Sequence, residues 1–133
     1  MDTNGRKWVE SDLVYKIAGC AMAVLNELGH GLKEKTYERA LCVEFKRQNI
    51  AFDRQQVHAV HYRGEHVEDY IPDLEVEGRG IVEVKTVDAI TDEHVGQVIN
   101  YLRITGCEAG VILNFIHPQL KWKKVVLSDL KKS

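Results

Sequence analysis

Three residues within one 13-residue stretch could do chemistry together: Asp73, Glu83 and Lys85. The residues around Glu83 and Lys85 are apolar, namely Ile81, Val82, Val84 and Val87. The glycine-rich run at residues 77–80 predicts a turn between two strands. If that turn is centred on Gly78, Asp73 and Glu83 lie five residues to either side of its centre. They would then be cross-strand neighbours, with Cβ atoms about 4.5–5.5 Å apart. Two carboxylates at that separation repel each other unless one is protonated or a cation lies between them.

A pair of carboxylates with a lysine beside it is typical of divalent-metal chemistry. Carboxylate oxygens are hard ligands that select Mg²⁺, Mn²⁺ or Ca²⁺. Because strand side chains alternate between faces, Glu83 and Lys85 point the same way. The ammonium group could then hold an attacking water or stabilise charge in a transition state. A Glu-x-Lys sequence on a strand is also common by chance, and an exposed Glu–Lys pair contributes little to stability.

Two helical patterns could supply further groups. Glu93, Gln97 and Tyr101 are spaced four apart and form a ridge beside an apolar stripe, where they could contact a phosphate or a water. From periodicity alone, a solvated polar edge is the slightly preferred explanation of this ridge. Glu34 and Glu38 share one face at the start of another helix and could add a carboxylate to a metal site. Acids in a first turn are also favoured by the helix dipole alone.

The elements that must position these residues follow from the hydrophobic periodicity. A first helix is predicted from a cap at Ser11 to Leu28, a second from Glu34 to Gln48, and a third from Thr91 or Asp92 to Thr105. Strands are predicted over residues 57–62, 66–76 with an irregular point at Pro72, 81–87, 110–115 and 122–127. The order α-α-β-β-β-α-β-β predicts an α/β (α+β) fold, with a mixed sheet and helices packed on it.

The composition is that of one soluble globular domain. The chain has 133 residues, of which 44% are hydrophobic, and its 18 basic and 20 acidic residues give a net charge of −2. A single domain is expected over residues 1–133, with a core at about 10–128 and ragged ends at 1–6 and 129–133. The low net charge argues against disorder and against a general polybasic nucleic-acid binder.

The cysteines and the apolar runs bear on location. Cys20, Cys42 and Cys107 are odd in number and widely spaced, which favours buried reduced thiols in a cytoplasmic protein. The segment of residues 1–10 has no secretory signal character. The longest apolar stretch, residues 17–25, is too short to span a bilayer, so no membrane association is expected.

The histidines offer a competing metal site. His58, His61, His66 and His94 are numerous enough to suggest a zinc hydrolase. His58 and His61 lie three apart on one strand, however, and so point to opposite faces. Surface or turn histidines are the simpler explanation.

Taken together and in this order, the motifs resemble one known family. The run Gly31-x-x-Glu34-x-x-Tyr37 is similar to the motif that names the GxxExxY proteins of the PD-(D/E)XK nuclease superfamily. The resemblance extends from about Gly29 to Leu127. It is supported by further stretches of the sequence: Pro72-Asp73, Glu83-Val84-Lys85, residues 97–102, Thr105-Gly106 and residues 110–115.

The resemblance implies a restriction-endonuclease-like core and Mg²⁺-dependent hydrolysis of phosphodiester bonds, with Mn²⁺ able to substitute. Asp73, Glu83 and the backbone carbonyl of Val84 would be metal ligands, and Glu34 would complete the metal shell. Lys85 would be the catalytic lysine, and Gln97 with Tyr101 matches the Gln-x-x-x-Tyr element of the RecB-like branch. By analogy DNA is preferred to RNA as the substrate. A homodimer or a helper protein would widen the nucleic-acid surface.

The resemblance leaves one alternative function open. A non-catalytic nucleic-acid-binding or protein-interaction module could retain the same fold, and the net charge of −2 favours it slightly. The two functions differ in whether the carboxylates bind a metal ion.

Overall fold

The described part of the chain contains three helices. The computed structural model describes the backbone of residues 2–128 and the side chains of residues 12–128. The helices are α1 (Asp2–Leu28), α2 (Glu34–Arg47) and α3 (Asp92–Thr105). Helices α2 and α3 begin and end within one residue of the predicted positions. Helix α1 continues through Ser11 back to Asp2, so the predicted cap at Ser11 is not a helix end and the predicted ragged segment 1–6 is helical from residue 2. Met1 and residues 129–133 lie outside the described residues.

Seven strands form two sheets within the described residues. They are β1 (Phe52–Arg54), β2 (His58–Tyr62), β3 (Glu65–Tyr70), β4 (Leu74–Val76), β5 (Gly80–Lys85), β6 (Ala109–Asn114) and β7 (Lys121–Val125). The main sheet has the order β1-β4-β5-β6-β7, while β2 and β3 pair only with each other. Strands β5 and β6 are parallel, and every other pair in the main sheet is antiparallel. The predicted mixed sheet with flanking helices is therefore confirmed.

The strands before α3 number five, whereas the sequence pattern predicted three. The predicted strand over residues 66–76 is two strands in different sheets, divided at Ile71-Pro72-Asp73. Pro72 has no N–H for a ladder, which explains why the division falls there. Strand β1 was missed because it is only three residues long and contains one apolar side chain, Phe52.

Both faces of the main sheet are covered. Helices α1 and α2 pack on one face around Ile17, Leu41 and Val82, and α3 packs on the other around Ile81 and Leu102. Consecutive β5 residues thus belong to opposite cores, as a strand buried on both faces requires. Polar side chains on β5 therefore lie inside the protein, where they need partners.

The position of α3 on the sheet is fixed by close contact and by caps. A side chain at Gly110 of β6 would overlap the Cγ1 atom of Val98, so this glycine permits the close approach of helix and strand. Thr91 and His94 form a capping box at the start of α3, and Gly106 ends the helix with a left-handed φ of 77°. These contacts fix which α3 side chains face β5. None of the described helices is long and apolar enough to cross a membrane.

Candidate active site

The β4–β5 hairpin places Asp73 opposite Glu83. The ladder pairs Leu74 with Val82 and Val76 with Gly80, so its centre is residue 78, and one step beyond Leu74 the same register brings Asp73 to Glu83. Glu77 and Gly78 both have positive φ, at 54° and 64°, as a tight hairpin turn requires. The predicted register of the hairpin is thus confirmed.

The two acids are held by crossed hydrogen bonds to backbone N–H groups. The N–H of Asp73 donates to Oε2 of Glu83 at 2.8 Å, and the N–H of Val84 donates to Oδ2 of Asp73 at 2.8 Å. These bonds replace the ladder where β4 ends. The other two carboxylate oxygens, Oδ1 of Asp73 and Oε1 of Glu83, accept no hydrogen bond from any described residue. One oxygen of each acid is therefore fixed and the other is open to a ligand.

Burial makes this pair a poor place for two negative charges. Glu83 is only 4% exposed. Burial, and next the charge of Asp73, raises the pKa of Glu83 to about 8. Burial also raises the pKa of Asp73, although the hydrogen bond from Val84 acts in the opposite direction. A cation between the two groups would offset this penalty, so the donor set fits a divalent metal.

The backbone supplies a third oxygen at the same point. The N–H and C=O of one strand residue point to the same side, so the carbonyl of Val84 faces Asp73 as its N–H does. In this register the residue opposite Val84 is Pro72, which has no N–H to donate. Among residues 12–128 no group of three or more His, Cys, Asp or Glu side chains could hold a metal ion. The oxygens available are thus two carboxylates and this carbonyl.

Lys85 lies beside the pair on the same face of β5. Its side chain is half-buried, and its positive charge lowers the pKa values of both Asp73 and Glu83. It forms no ion pair within the described part of the chain. Its ammonium group is therefore available to a ligand.

Helix α3 contributes Tyr101 to the same cluster. Tyr101 is 7% exposed, and burial, followed by the charges of Glu83 and Asp73, raises its pKa to about 12. The side-chain amide of Gln97 donates to the Tyr101 hydroxyl at 3.4 Å, and Gln97 itself is exposed. The ridge predicted from the sequence thus divides: Tyr101 belongs with the carboxylates, whereas Glu93 lies on the exposed edge.

The residues of the Gly-x-x-Glu-x-x-Tyr run anchor the start of α2. Gly31, at a left-handed φ of 85°, donates its N–H to the carbonyl of Phe115 at 3.0 Å. The Tyr37 ring stacks on Phe115 at 4.2 Å, and its hydroxyl donates to the Gly29 carbonyl at 2.6 Å. These contacts hold the start of α2 on the end of β6.

Glu34 is bound at the end of β5 rather than to the carboxylate pair. Its Oε2 accepts the N–H of Thr86 at 2.9 Å and the Thr86 hydroxyl at 3.4 Å. Its charge is the smallest of the causes that raise the pKa of Asp73. Its assignment to the metal shell stays a prediction.

Glu38 is the residue to which the sequence interpretation gave too little weight. It is 3% exposed, and Arg54 and Gln55 donate to its Oε2 at 2.6 and 3.0 Å. Its charge also contributes to the raised pKa values of Asp73 and Glu83. The signal in the sequence was an acid on the buried stripe of α2, beside Tyr37 and Leu41.

The histidines are distributed over separate contacts. His58 contacts Glu75 at 2.8 Å, His66 contacts Asp69 at 2.7 Å, and His94 accepts the Thr91 N–H at 3.0 Å. Each has a local role in joining or capping an element.

Comparison with known proteins identifies the family. A model of the PD-(D/E)XK nuclease superfamily matches residues 11–125. The fold is similar to the crystal structure of SSO0001, with a TM-score of 0.53, 14% sequence identity, and coverage of 69% of this chain and 48% of that one. The chain thus spans about half the length of that neighbour, and the likeness concerns the fold alone. No curated protein matches the sequence significantly. Since the family model covers most of the domain, the chain belongs to the PD-(D/E)XK nuclease superfamily.

Proposed function

We propose that this protein is a Mg²⁺-dependent nuclease that hydrolyses phosphodiester bonds, with DNA as the preferred substrate. The observation that carries the proposal is the crossed pair of hydrogen bonds between Asp73, Glu83 and Val84. It fixes one oxygen of each acid and leaves the other open beside a half-buried lysine.

The metal ligands in this proposal are Asp73, Glu83 and the carbonyl of Val84. All three are hard oxygen donors, which suit Mg²⁺ and allow Mn²⁺ to substitute. When bound there, the metal lowers the pKa of water and neutralises charge on the phosphate. Glu34 remains a proposed addition to this set, with its contact to Thr86 as the alternative use of its carboxylate.

The remaining residues act on the substrate and on the water. Lys85, which pairs with no acid in the described chain, holds the attacking water or stabilises the negative charge that develops on the phosphate. The buried Tyr101 hydroxyl and the Gln97 amide, joined at 3.4 Å, donate to a phosphate oxygen. Tyr101 lies with the carboxylates, and the exposed Gln97 is connected to them through its bond to the Tyr101 hydroxyl.

The proposed substrate, partners, family branch and cellular location have separate supports. The superfamily implies nucleic acid, and DNA is chosen by analogy with related nucleases. A net charge of −2 leaves little basic surface for reading sequence, which favours cutting at ends or structures, or help from a second copy or another protein. The anchoring by Gly31 and Tyr37 supports placement in the GxxExxY branch. Three buried free cysteines suit a cytoplasmic location.

The proposal is tested by cleavage of labelled DNA and RNA with Mg²⁺, Mn²⁺ or EDTA. Lys85→Ala should lower the rate by about 10²–10³-fold, the range for loss of one electrostatic stabiliser. Lys46→Ala, on the exposed last turn of α2, is the matched control and should leave the rate unchanged. Cleavage that persists in EDTA, or that Lys85→Ala retains in full, would contradict the proposal.

The absence of a three-residue metal group in residues 12–128 supports a second candidate. In that candidate the fold is kept as a non-catalytic nucleic-acid-binding or protein-interaction module. It predicts no tight Mn²⁺ binding in calorimetry and unchanged nucleic-acid binding by Asp73→Ala and Glu83→Ala. Loss of Mn²⁺ binding in those two variants would favour the nuclease.

A further inference from the structure

Glu38 has no role in the proposed reaction, yet it is among the most enclosed charged residues of the described chain. Arg54 Nε donates to its Oε2 at 2.6 Å, Gln55 Nε2 donates to the same oxygen at 3.0 Å, and Lys35 Nζ lies 3.7 Å from Oε1. A carboxylate that is 3% exposed is costly unless it is paired in this way. These donors therefore fix Glu38 on the sheet side of α2.

The backbone departs from a strand so that two consecutive residues can reach Glu38. In a continued strand Arg54 and Gln55 would point to opposite faces. Gln55 instead has a left-handed φ of 56°, which returns its side chain to the face of Arg54. Such a conformation in a residue with a Cβ atom persists only where its surroundings determine it. The bond to Glu38 is the side-chain contact that does so.

Gln55 in turn holds Asp73. Its N–H donates to the Asp73 carbonyl at 3.0 Å, one step beyond the pairing of Arg54 with Leu74. Asp73 is thus held at its carbonyl by Gln55, at its N–H by Glu83 and at Oδ2 by Val84. The bond from Gln55 connects Asp73 to α2, because the Gln55 side chain also bonds to Glu38.

We propose that Glu38 is a positioning residue which, through Gln55, orients Asp73 for a divalent cation. The inference rests on the proposed function, because it concerns the same metal site. Outer partners that orient a metal ligand affect metal affinity although they never touch the ion. Glu38 and Glu34 therefore have different roles, since Glu38 holds the start of β4 and Glu34 holds the end of β5 through Thr86.

Mn²⁺ binding, measured by titration calorimetry, tests this chain of contacts. Gln55→Ala keeps every charge and removes only the side-chain amide that bonds to Glu38. The backbone N–H that bonds to Asp73 remains, but it is no longer held from α2. We expect Gln55→Ala and Glu38→Gln each to raise the Mn²⁺ dissociation constant by about tenfold. The double variant should be no weaker than the weaker single variant, because both changes break one chain.

The matched control is Glu44→Gln, the same substitution on the same helix. Glu44 accepts a hydrogen bond from Gln48 at 2.6 Å, one turn further along the chain, so its loss should leave Mn²⁺ affinity unchanged. If Gln55→Ala binds Mn²⁺ as the wild type does, or if the two single effects multiply in the double variant, the positioning role is wrong. If Glu38→Gln fails to fold by circular dichroism, Gln55→Ala decides alone.

Asp73→Asn separates this inference from the proposed function. If Asp73→Asn loses Mn²⁺ affinity and Gln55→Ala does not, only the positioning role fails. If Asp73→Asn binds Mn²⁺ as tightly as the wild type, the metal site itself is wrong, and the positioning role fails with it.

Discussion

The domain contains two hairpins, β2–β3 and β4–β5, that are built from similar residue types. They differ in whether their charged side chains are exposed or buried. On β2–β3, His66 and Asp69 contact each other at 2.7 Å while their side chains are 53% and 46% exposed. On β4–β5, Asp73 and Glu83 are bound by backbone N–H groups, and Glu83 is 4% exposed. Helix α3 and strand β6 cover the second hairpin, whereas the first pairs with no other strand.

The difference shows that burial, more than residue type, determines how far the pKa of a carboxylate is shifted. Exposed pairs are screened by water and contribute little. In the buried hairpin the pKa of Glu83 rises to about 8, because burial and the charge of Asp73 both disfavour its ionised form. A bound cation would offset the repulsion between the two carboxylates.

Removal of the half-buried carboxylate of the pair should abolish most of the activity. Asp73→Asn keeps the size of the side chain but removes a negative charge from the metal site. We expect cleavage to fall by about 10³-fold, at the upper end for loss of an electrostatic group. The corresponding change on the exposed hairpin, Asp69→Asn, should leave the cleavage rate within about twofold, as measured with the same labelled DNA. Equal losses of cleavage in Asp73→Asn and Asp69→Asn would contradict the different roles given to the two hairpins.

The stability of the metal-free protein should fall as pH rises. Glu83 has an ordinary pKa of 4.5 and a folded-state pKa of about 8, so the folded protein keeps a proton that the unfolded chain releases. The stabilising effect is complete below pH 4.5 and decreases, on the order of 1 kcal/mol per pH unit, as pH rises towards 8. Urea unfolding in EDTA between pH 5 and 8 measures this slope.

Glu83→Gln should flatten the pH dependence, since an amide does not titrate in this range. Asp69→Asn should retain the wild-type slope. The assignment of the slope to Glu83 would be contradicted if stability in EDTA had the same pH dependence in the wild type and in Glu83→Gln.

A substitution at Pro72 tests whether the carbonyl of Val84 is a metal ligand. Pro72→Ala adds an N–H opposite that carbonyl, so the ladder can extend by one bond and compete with a metal. One hydrogen bond contributes about 1 kcal/mol, which corresponds to about a fivefold weaker Mn²⁺ affinity. Calorimetry on Pro72→Ala checks the value, and an unchanged affinity would exclude the carbonyl as a ligand.

The smallest effect is expected on the exposed hairpin. Asp69→Asn removes the negative charge from the contact with His66, and we expect the free energy of unfolding to change by less than about 0.5 kcal/mol. Urea unfolding at pH 7 measures it. A loss of several kcal/mol would mean that the exposed pair matters to stability as much as the buried pair does.

Much of the site was predictable because local rules determine it. The glycine-rich turn at Gly78 sets the register that brings Asp73 to Glu83, and strand alternation places Lys85 beside Glu83. Helical spacing located Tyr101, although it could not separate the buried Tyr101 from the exposed Gln97.

The parts that escaped prediction depend on contacts between distant segments. Strand β1 is too short to have a period of its own and exists by pairing with β4. The burial of Glu38 depends on a left-handed residue, Gln55, that no local pattern marks. The division of the strand at Pro72 follows from which sheet each half joins.

A crystal soaked in Mn²⁺ and measured at the manganese absorption edge would show whether Asp73 and Glu83 bind a divalent cation together. We predict an anomalous peak between the carboxylates of Asp73 and Glu83, about 2.0–2.6 Å from an oxygen of each. The result would contradict this site if Mn²⁺ peaks appeared at other positions in the crystal and none between Asp73 and Glu83. A peak found only at His58 and Glu75 would contradict it as well.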